Sequence, residues 1–117
     1  MRQFRLAFVG CGGISTSHLG SYALHADRVQ LVATCDIVPE RAERAKERYG
    51  ADHAFDSVDA LIAGADFDVA VVCTPTPVRE EVVAPLAEAG KHIYIEKPMA
   101  DTIEEARRMV DVCNAYR

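Results

Sequence analysis

The sequence predicts an α/β fold of three layers, in which a parallel, doubly wound sheet of about five strands carries helices on both faces. Three observations lead to this prediction. Apolar runs alternate with helical patterns along all 117 residues. Residues 69–73, Val-Ala-Val-Val-Cys, are continuously apolar, which is typical of a central strand buried on both faces. The first apolar run stops at the closely spaced glycines Gly10, Gly12 and Gly13, just before a helical pattern.

The composition indicates one globular domain, residues 1–117, with enough chain for a single core. A net charge of −5 without a basic patch argues against nucleic-acid and anionic-membrane partners. The apolar run before the glycines is too short for a signal peptide, and no stretch approaches transmembrane length. We therefore expect a cytoplasmic protein, which reduced cysteines would also fit.

The apolar runs predict strands at residues 4–9, 29–35, 54–55, 68–74 and 92–95. The first helix should turn one stripe inward, comprising Leu19, Tyr22, Ala23 and Ala26. Pro39 suits the first turn of the second helix and Gly50 its end. The inward residues of that helix should be Ala42, Ala45 and Tyr49.

The later helices carry their own start and stop signals. Ser57 should cap a short helix, and Thr102 with Glu105 forms a capping box for the last one. Pro85 falls inside the fourth helical pattern, which predicts a kink or a shortened helix. The last helix should bury Ile103, Ala106, Met109, Val110 and Cys113.

The glycine turn has the properties of a pyrophosphate site. Gly10 can adopt the positive φ of a sharp turn, and Gly12 has no Cβ to keep a ligand from the backbone. The following helix would aim its unpaired N–H groups and positive dipole end at that turn. The pattern is G-x-G-x-x-S, with Ser15 where the dinucleotide fingerprint has Gly or Ala. The alternative is an ordinary glycine turn between strand and helix.

Asp36 supplies the second part of a dinucleotide site. It ends the second strand, 21 residues after Ser15, where an acidic side chain can accept hydrogen bonds from an adenosine ribose. A carboxylate at that position favours NAD over NADP, unless Arg41 folds back to hold a 2′-phosphate. The alternative for Asp36 is a helix N-cap before Pro39, which is compatible with ribose binding. A methyltransferase also uses a glycine turn followed by an acidic residue, but the helix-opening turn and the later strand ends point away from that class.

Two further strand ends would lie on the same edge of the sheet. The fourth strand ends in Thr74-Pro75-Thr76 and the fifth in Glu96-Lys97-Pro98, next to the switch point where ligands bind. The Glu-Lys pair could also be a surface ion pair in a loop. Cys11, Cys35 and Cys73 fall near strand ends too, but without a C-x-x-C pair or a nearby histidine we expect core thiols rather than a metal site.

These motifs resemble the glucose–fructose oxidoreductase / inositol dehydrogenase family (Gfo/Idh/MocA). The resemblance covers essentially the whole chain, and its most specific part is the run Ala89-Gly90-Lys91-His92 leading into Glu96-Lys97-Pro98. It implies an N-terminal Rossmann domain of an NAD(P)-dependent oxidoreductase that acts on a sugar, a cyclitol or a related hydroxyl or carbonyl compound. Thr76 stands where the family usually has Asn, and Arg79 stands where a histidine usually follows.

The resemblance also implies the roles of individual residues. Lys97 would meet the substrate oxygen as the catalytic lysine, and Glu96 would lie near the nicotinamide ribose. The cofactor-binding residues would be Gly10, Cys11, Gly12, Gly13, Ile14, Asp36, Thr74, Pro75, Thr76, Glu96 and Lys97. The family's proton-transfer residues lie in a C-terminal domain that this chain lacks, and His18 is not expected to replace them.

We therefore expect NAD as the cofactor, with NADP the weaker ligand, and a sugar or cyclitol as the substrate. A stand-alone nucleotide-binding or regulatory module without turnover is the competing interpretation. Loss of a sixth strand would expose residues 91–95 at the sheet edge, which predicts self-association into a homo-oligomer.

Overall fold

The computed structural model describes residues 3–117, apart from the side chain of Ile14. Strands and helices alternate along this range. The strands are β1 Phe4–Val9, β2 Val29–Cys35, β3 His53–Phe55, β4 Val69–Val72 and β5 His92–Ile95. The helices are α1 Gly13–Ala23, α2 Pro39–Tyr49, α3 Val58–Gly64, α4 Arg79–Glu88 and α5 Ile103–Ala115, with a 3-10 turn at Thr76–Val78 before α4.

The five strands form one parallel sheet in the order β3-β2-β1-β4-β5. The chain moves outward from β1 through β2 to β3, then crosses back to β4 on the other side of β1. All strands therefore end at the same edge, and the direction reverses between β1 and β4. This arrangement confirms the predicted doubly wound α/β fold.

Two apolar clusters lie on opposite faces of the sheet. On the face covered by α1 and α2, the buried members are Phe8, Leu19, Ala45, Val71 and Cys73. On the face covered by α3 and α4, they include Ala7, Val9, Leu61, Val72 and Leu86. Because Phe8 points to one cluster and its neighbours Ala7 and Val9 to the other, β1 is buried on both sides.

The predicted inner faces of two helices need correction. Helix α1 ends at Ala23 and the chain then turns, so Ala23 and Ala26 are exposed rather than inward. In α5, Ile103 is 72% exposed and Val110 47% exposed, although both were expected inside. The cause is that α5 packs mainly on α4 instead of on the sheet, which buries Met109.

The predicted start and stop signals are confirmed at several positions. Ser57 accepts a hydrogen bond from the Ala60 amide, and Thr102 accepts one from the Glu105 amide. Gly50 ends α2 in the left-handed conformation, with φ +75°. Helix α4 runs through Pro85 and stops at Glu88. None of the helices formed by residues 3–117 is both long and apolar enough to cross a bilayer.

Candidate functional site

A cleft of about 750 Å³ opens at the carboxyl edge of the sheet, above the ends of β1, β2 and β4. Its walls also include the start of α2 and the first turn of α4. The predicted cofactor-binding residues that line it are Gly10, Gly12, Gly13, Asp36, Thr74, Pro75 and Thr76. The topology thus brings together three loops that are far apart in sequence.

The glycine turn forms the floor of the cleft. Gly10 has φ +93°, and a Cβ at this position would lie 2.7 Å from the carbonyl carbon of Cys73. Only glycine therefore lets β1 leave the sheet so close to the end of β4. Gly12 and Gly13 have nothing within 4 Å of a Cβ position, and α1 begins here without a side-chain cap. An anion can approach these helix-start amides directly.

Asp36 joins the end of β2 to the glycine turn. Its side chain is only 8% exposed, with Oδ2 accepting from the Cys11 amide at 2.8 Å and Oδ1 from the Val38 amide at 2.9 Å. The N-cap of α2 is Val38, so the N-cap alternative for Asp36 is wrong. Because each carboxylate oxygen has a second lone pair, the group can still accept ribose hydroxyls.

The loop after β4 contains a polar atom with an unused hydrogen-bonding capacity. Thr74 Oγ1 is buried and, among the described residues, has no hydrogen-bond partner. Buried hydroxyl groups in native proteins are nearly always paired. The orphaned Oγ1 lies on a cleft-lining residue, where a polar ligand could supply the partner.

Arg79 is a buried cation at the first turn of α4, only 4% exposed. Its Nε donates to the Thr74 carbonyl at 2.9 Å, and Nη1 donates to the Glu96 carbonyl at 2.5 Å and to the Pro98 carbonyl. One guanidinium therefore connects the loops after β4 and β5. It also lines the cleft.

Glu96 and Lys97 lie beyond the wall of the cleft, on the loop after the edge strand. The Glu96 carboxylate accepts hydrogen bonds from His18 Nε2 of α1 and from the Lys97 amide. These bonds, the His18 bond foremost, lower the pKa of Glu96 below its ordinary 4.5. Lys97 is exposed, and the peptide bond between Lys97 and Pro98 is cis. The cleft residues and this pair are thus joined through Arg79 rather than directly.

The three cysteines near the strand ends are protonated thiols. Burial is the main reason that the pKa rises to about 11 for Cys11, about 12 for Cys35 and about 11 for Cys73. Within the part of the chain that the structure describes, no group of three or more His, Cys, Asp or Glu side chains could hold a metal ion.

Sequence reasoning missed two contacts that organise this edge. The sequence predicts no role for His18, and it marks Arg79 only as a residue that stands where the family usually has histidine. Both act through residues more than ten positions away, so no local spacing could reveal them. Arg41, whose orientation was open, lines the cleft. The side chain of Ile14, a predicted cofactor contact, lies outside the described residues.

Comparisons with known proteins agree with this geometry. Residues 4–117 match the model of the Gfo/Idh/MocA family, described as an oxidoreductase family with an NAD-binding Rossmann fold. The chain is 35% identical over 107 residues to D-glucoside 3-dehydrogenase of Escherichia coli strain K12, covering 92% of this chain and 30% of that protein. It is also 35% identical over 108 residues to inositol 2-dehydrogenase of Rhizobium meliloti, covering 92% of this chain and 32% of the relative.

A solved structure extends the likeness to three dimensions. The WlbA dehydrogenase from Bordetella pertussis, crystallised in complex with NADH and UDP-GlcNAcA, superposes with a TM-score of 0.93. It is 38% identical, with 98% of this chain and 35% of that chain covered. The present chain spans about a third of the length of the curated relatives it matches. Sequence, site geometry and fold lead to one conclusion: the chain belongs to the Gfo/Idh/MocA family of oxidoreductases and forms its NAD-binding Rossmann fold.

Proposed function

We propose that residues 1–117 form the dinucleotide-binding domain of an NAD-dependent oxidoreductase that acts on a sugar, a cyclitol or a related hydroxyl or carbonyl compound. The observation that carries this proposal is the cleft itself. It joins open helix-start amides at Gly12 and Gly13 to the half-used carboxylate of Asp36. An anion site next to a hydroxyl-binding site matches a pyrophosphate joined to a ribose.

The predicted site residues divide along the length of the dinucleotide. The turn of residues 10–14 would hold the pyrophosphate, and Asp36 the adenosine ribose. The nicotinamide half would then extend over Thr74, Pro75 and Thr76 toward Glu96. The bound NAD would supply a hydride acceptor, and its fit is supported by the orphaned Thr74 Oγ1.

Lys97 is the residue we propose as the catalytic one. It is exposed on the loop after β5, at the edge of the sheet where the nicotinamide half would end. A cationic side chain there would donate to the substrate oxygen and stabilise negative charge that develops on it during hydride transfer. The substrate class rests on the relatives, which are named for a glucoside, for inositol and, in the complex, for a nucleotide-sugar acid.

The proposed reaction is tested by following NADH formation by the full-length protein that carries this chain. The panel should contain simple sugars, inositols and a UDP-linked sugar acid. Turnover with at least one of them, lost on Lys97→Met, is the expected result. NAD binding without turnover on any compound would favour the alternative of a regulatory module.

The cofactor preference is a first prediction: NADH should bind at least tenfold more tightly than NADPH. A 2′-phosphate beside Asp36 would bring like charges to about 4 Å, which costs roughly 4 kcal/mol per unit-charge pair at a dielectric near 20, before screening. Even a third of that energy corresponds to about tenfold in affinity. Arg41 at the cleft wall would reduce the preference without cancelling it.

Fluorescence titration of the 117-residue chain with NADH and NADPH measures the preference. Asp36→Ser should weaken NADH and strengthen NADPH binding, and adding Arg41→Ala should remove the NADPH gain. Asp52→Ser is the matched control, because Asp52 is exposed and precedes β3, at the opposite edge of the sheet. If Asp36→Ser leaves the NADPH affinity unchanged, Asp36 does not hold the ribose.

A further inference from the structure

The loop after β5 is held in place by side chains from two other elements, and the two attachments differ in kind. His18 of α1 binds the side chain of Glu96. Arg79 of α4 binds the main-chain carbonyls of Glu96 and Pro98, on both sides of Lys97. The main-chain carbonyls on both sides of the proposed catalytic lysine thus accept hydrogen bonds from one guanidinium.

Burial of the Arg79 charge costs solvation free energy unless specific interactions offset it. A side chain with only 4% of its surface exposed loses its hydration, and its described hydrogen bonds go to neutral carbonyl oxygens at the ends of β4 and β5. The Arg79 charge is a minor cause of the lowered pKa of Glu96. A planar group with five N–H donors in a fixed fork suits three carbonyls that must keep one mutual geometry.

The position of Arg79 along the cleft defines which half of the dinucleotide it would affect. Asp36 and Arg41 lie on the β2 side of the glycine turn, whereas Arg79 lies on the β4 side, in the same cleft. A dinucleotide whose pyrophosphate rests on the turn places its two halves on opposite sides of β1. Arg79 is then next to the nicotinamide half and remote from the adenosine half.

We propose that Arg79 is a positioning residue for the nicotinamide half of the site. It acts by fixing the Glu96–Pro98 backbone against the end of β4, so that Glu96 and Lys97 face the nicotinamide ribose and the substrate oxygen. This inference rests on the proposed function, since it needs a dinucleotide in the cleft. It assigns a role to a buried side chain whose described hydrogen bonds go to main-chain carbonyls of the two loops.

The test compares two ligands on the same 117-residue chain: NADH, and ADP, which lacks both the nicotinamide and its ribose. Arg79→Met should weaken NADH binding about tenfold, equivalent to about 1.4 kcal/mol, and change ADP binding less than twofold. Arg79→Lys should behave similarly, because one ammonium cannot reproduce the fork. Arg108→Lys is the matched control: Arg108 is an exposed arginine of α5 paired with Glu80, and neither affinity should change.

ADP binding also reports whether a variant is folded and separates the two proposals. If the wild-type chain binds neither ligand, the proposed function fails. If both ligands bind and Arg79→Met leaves NADH binding unchanged, or weakens both ligands equally in a folded variant, the positioning role is overturned. Should neither Arg79 variant fold, the wild-type chain decides by NMR. The Arg79 Nε–H signal should shift with NADH and not with ADP, and equal shifts with both would overturn the role.

Discussion

The Glu96 carboxylate connects α1 to the loop after β5, because it accepts hydrogen bonds from His18 and from the Lys97 amide. It does so at the proposed nicotinamide side of the site. Its pKa lies below the ordinary value of 4.5, first because His18 donates to it and then because the Lys97 amide does. A folded-state pKa below the unfolded one means that the pair stabilises the fold above about pH 4.5. That stabilisation disappears as the pH falls through the lowered pKa.

Replacement of His18 by Ala should therefore raise the pKa of Glu96 toward 4.5 without reaching it, since the Lys97 amide and Arg79 remain. Carboxyl NMR titration measures the shift directly. Glu80 is an internal reference: its pKa is lowered by Arg108, not by His18, and should not change in the variant. His25→Ala, at an exposed position after α1, is the control variant. An unchanged Glu96 pKa in His18→Ala would show that the contact does not form in solution.

The role of a residue could be predicted from the sequence where a local pattern requires that residue type. It could not be predicted where the role depends on a partner far away in the sequence. Gly10 was predicted for a turn that needs positive φ, and the structure shows φ +93°. Asp36 was predicted at the end of β2 because the apolar run of residues 29–35 stops there. The contacts of His18 and Arg79 with Glu96 depend on the position of β5 beside β4. Spacing along the sequence does not show which strands are neighbours.

At the scale of elements, α5 combines a side-chain N-cap with little burial of its apolar residues. It packs mainly on α4, and Ile103 and Val110 contribute little burial. The Thr102 hydroxyl accepts from the Glu105 amide at 3.1 Å and so satisfies one of the unpaired donors at the helix start.

Thr102→Ala should lower the free energy of unfolding by about 0.5–2 kcal/mol, the usual cost of losing an N-cap. Thr102→Ser keeps the oxygen and should behave like the wild type. Urea denaturation with matched slopes gives the difference. Equal stability of the Ala and Ser variants would mean that water caps the helix equally well.

The element boundaries were more predictable than the helix faces. The predicted ranges of β1, β2 and β5 agree with the structure, because glycines, Asp36 and the flanking charges mark their ends. The face of α5 was wrong because an apolar stripe tells which residues could be inside, but not whether the helix lies on a sheet or on another helix.

For the whole molecule, the outer edge of β5 is the feature with the widest consequence. Within residues 3–117, the sheet ends there, and Tyr94 is 54% exposed on this strand. Lysines often guard such edges, but Lys91 donates to the Phe67 carbonyl at 2.9 Å and lies over its ring. The charge of Lys91 is therefore held away from the edge, and residues 92–95, His-Ile-Tyr-Ile, contain no lysine, arginine or carboxylate.

The 117-residue chain should accordingly self-associate as its concentration rises. Light scattering over a concentration series measures this, and Tyr94→Lys should return the chain to a monomer by placing a charge on the edge strand. Tyr116→Lys, at a site of similar exposure beyond α5, should leave association unchanged. A wild-type chain that stays monomeric at high concentration would contradict the prediction.

The strand order also places one part of the candidate site at the centre of the sheet and the other at its edge. The glycine turn leaves β1, which is paired on both sides, whereas Glu96 and Lys97 follow the edge strand β5. Local opening begins at elements with few buried contacts and spares those at the centre. Brief fraying of β5 would release the Glu96–Lys97 loop while the turn and Asp36 kept their places. A dinucleotide would then dock by its adenosine end on a preformed surface, and its other end would complete the site by immobilising the edge of the sheet.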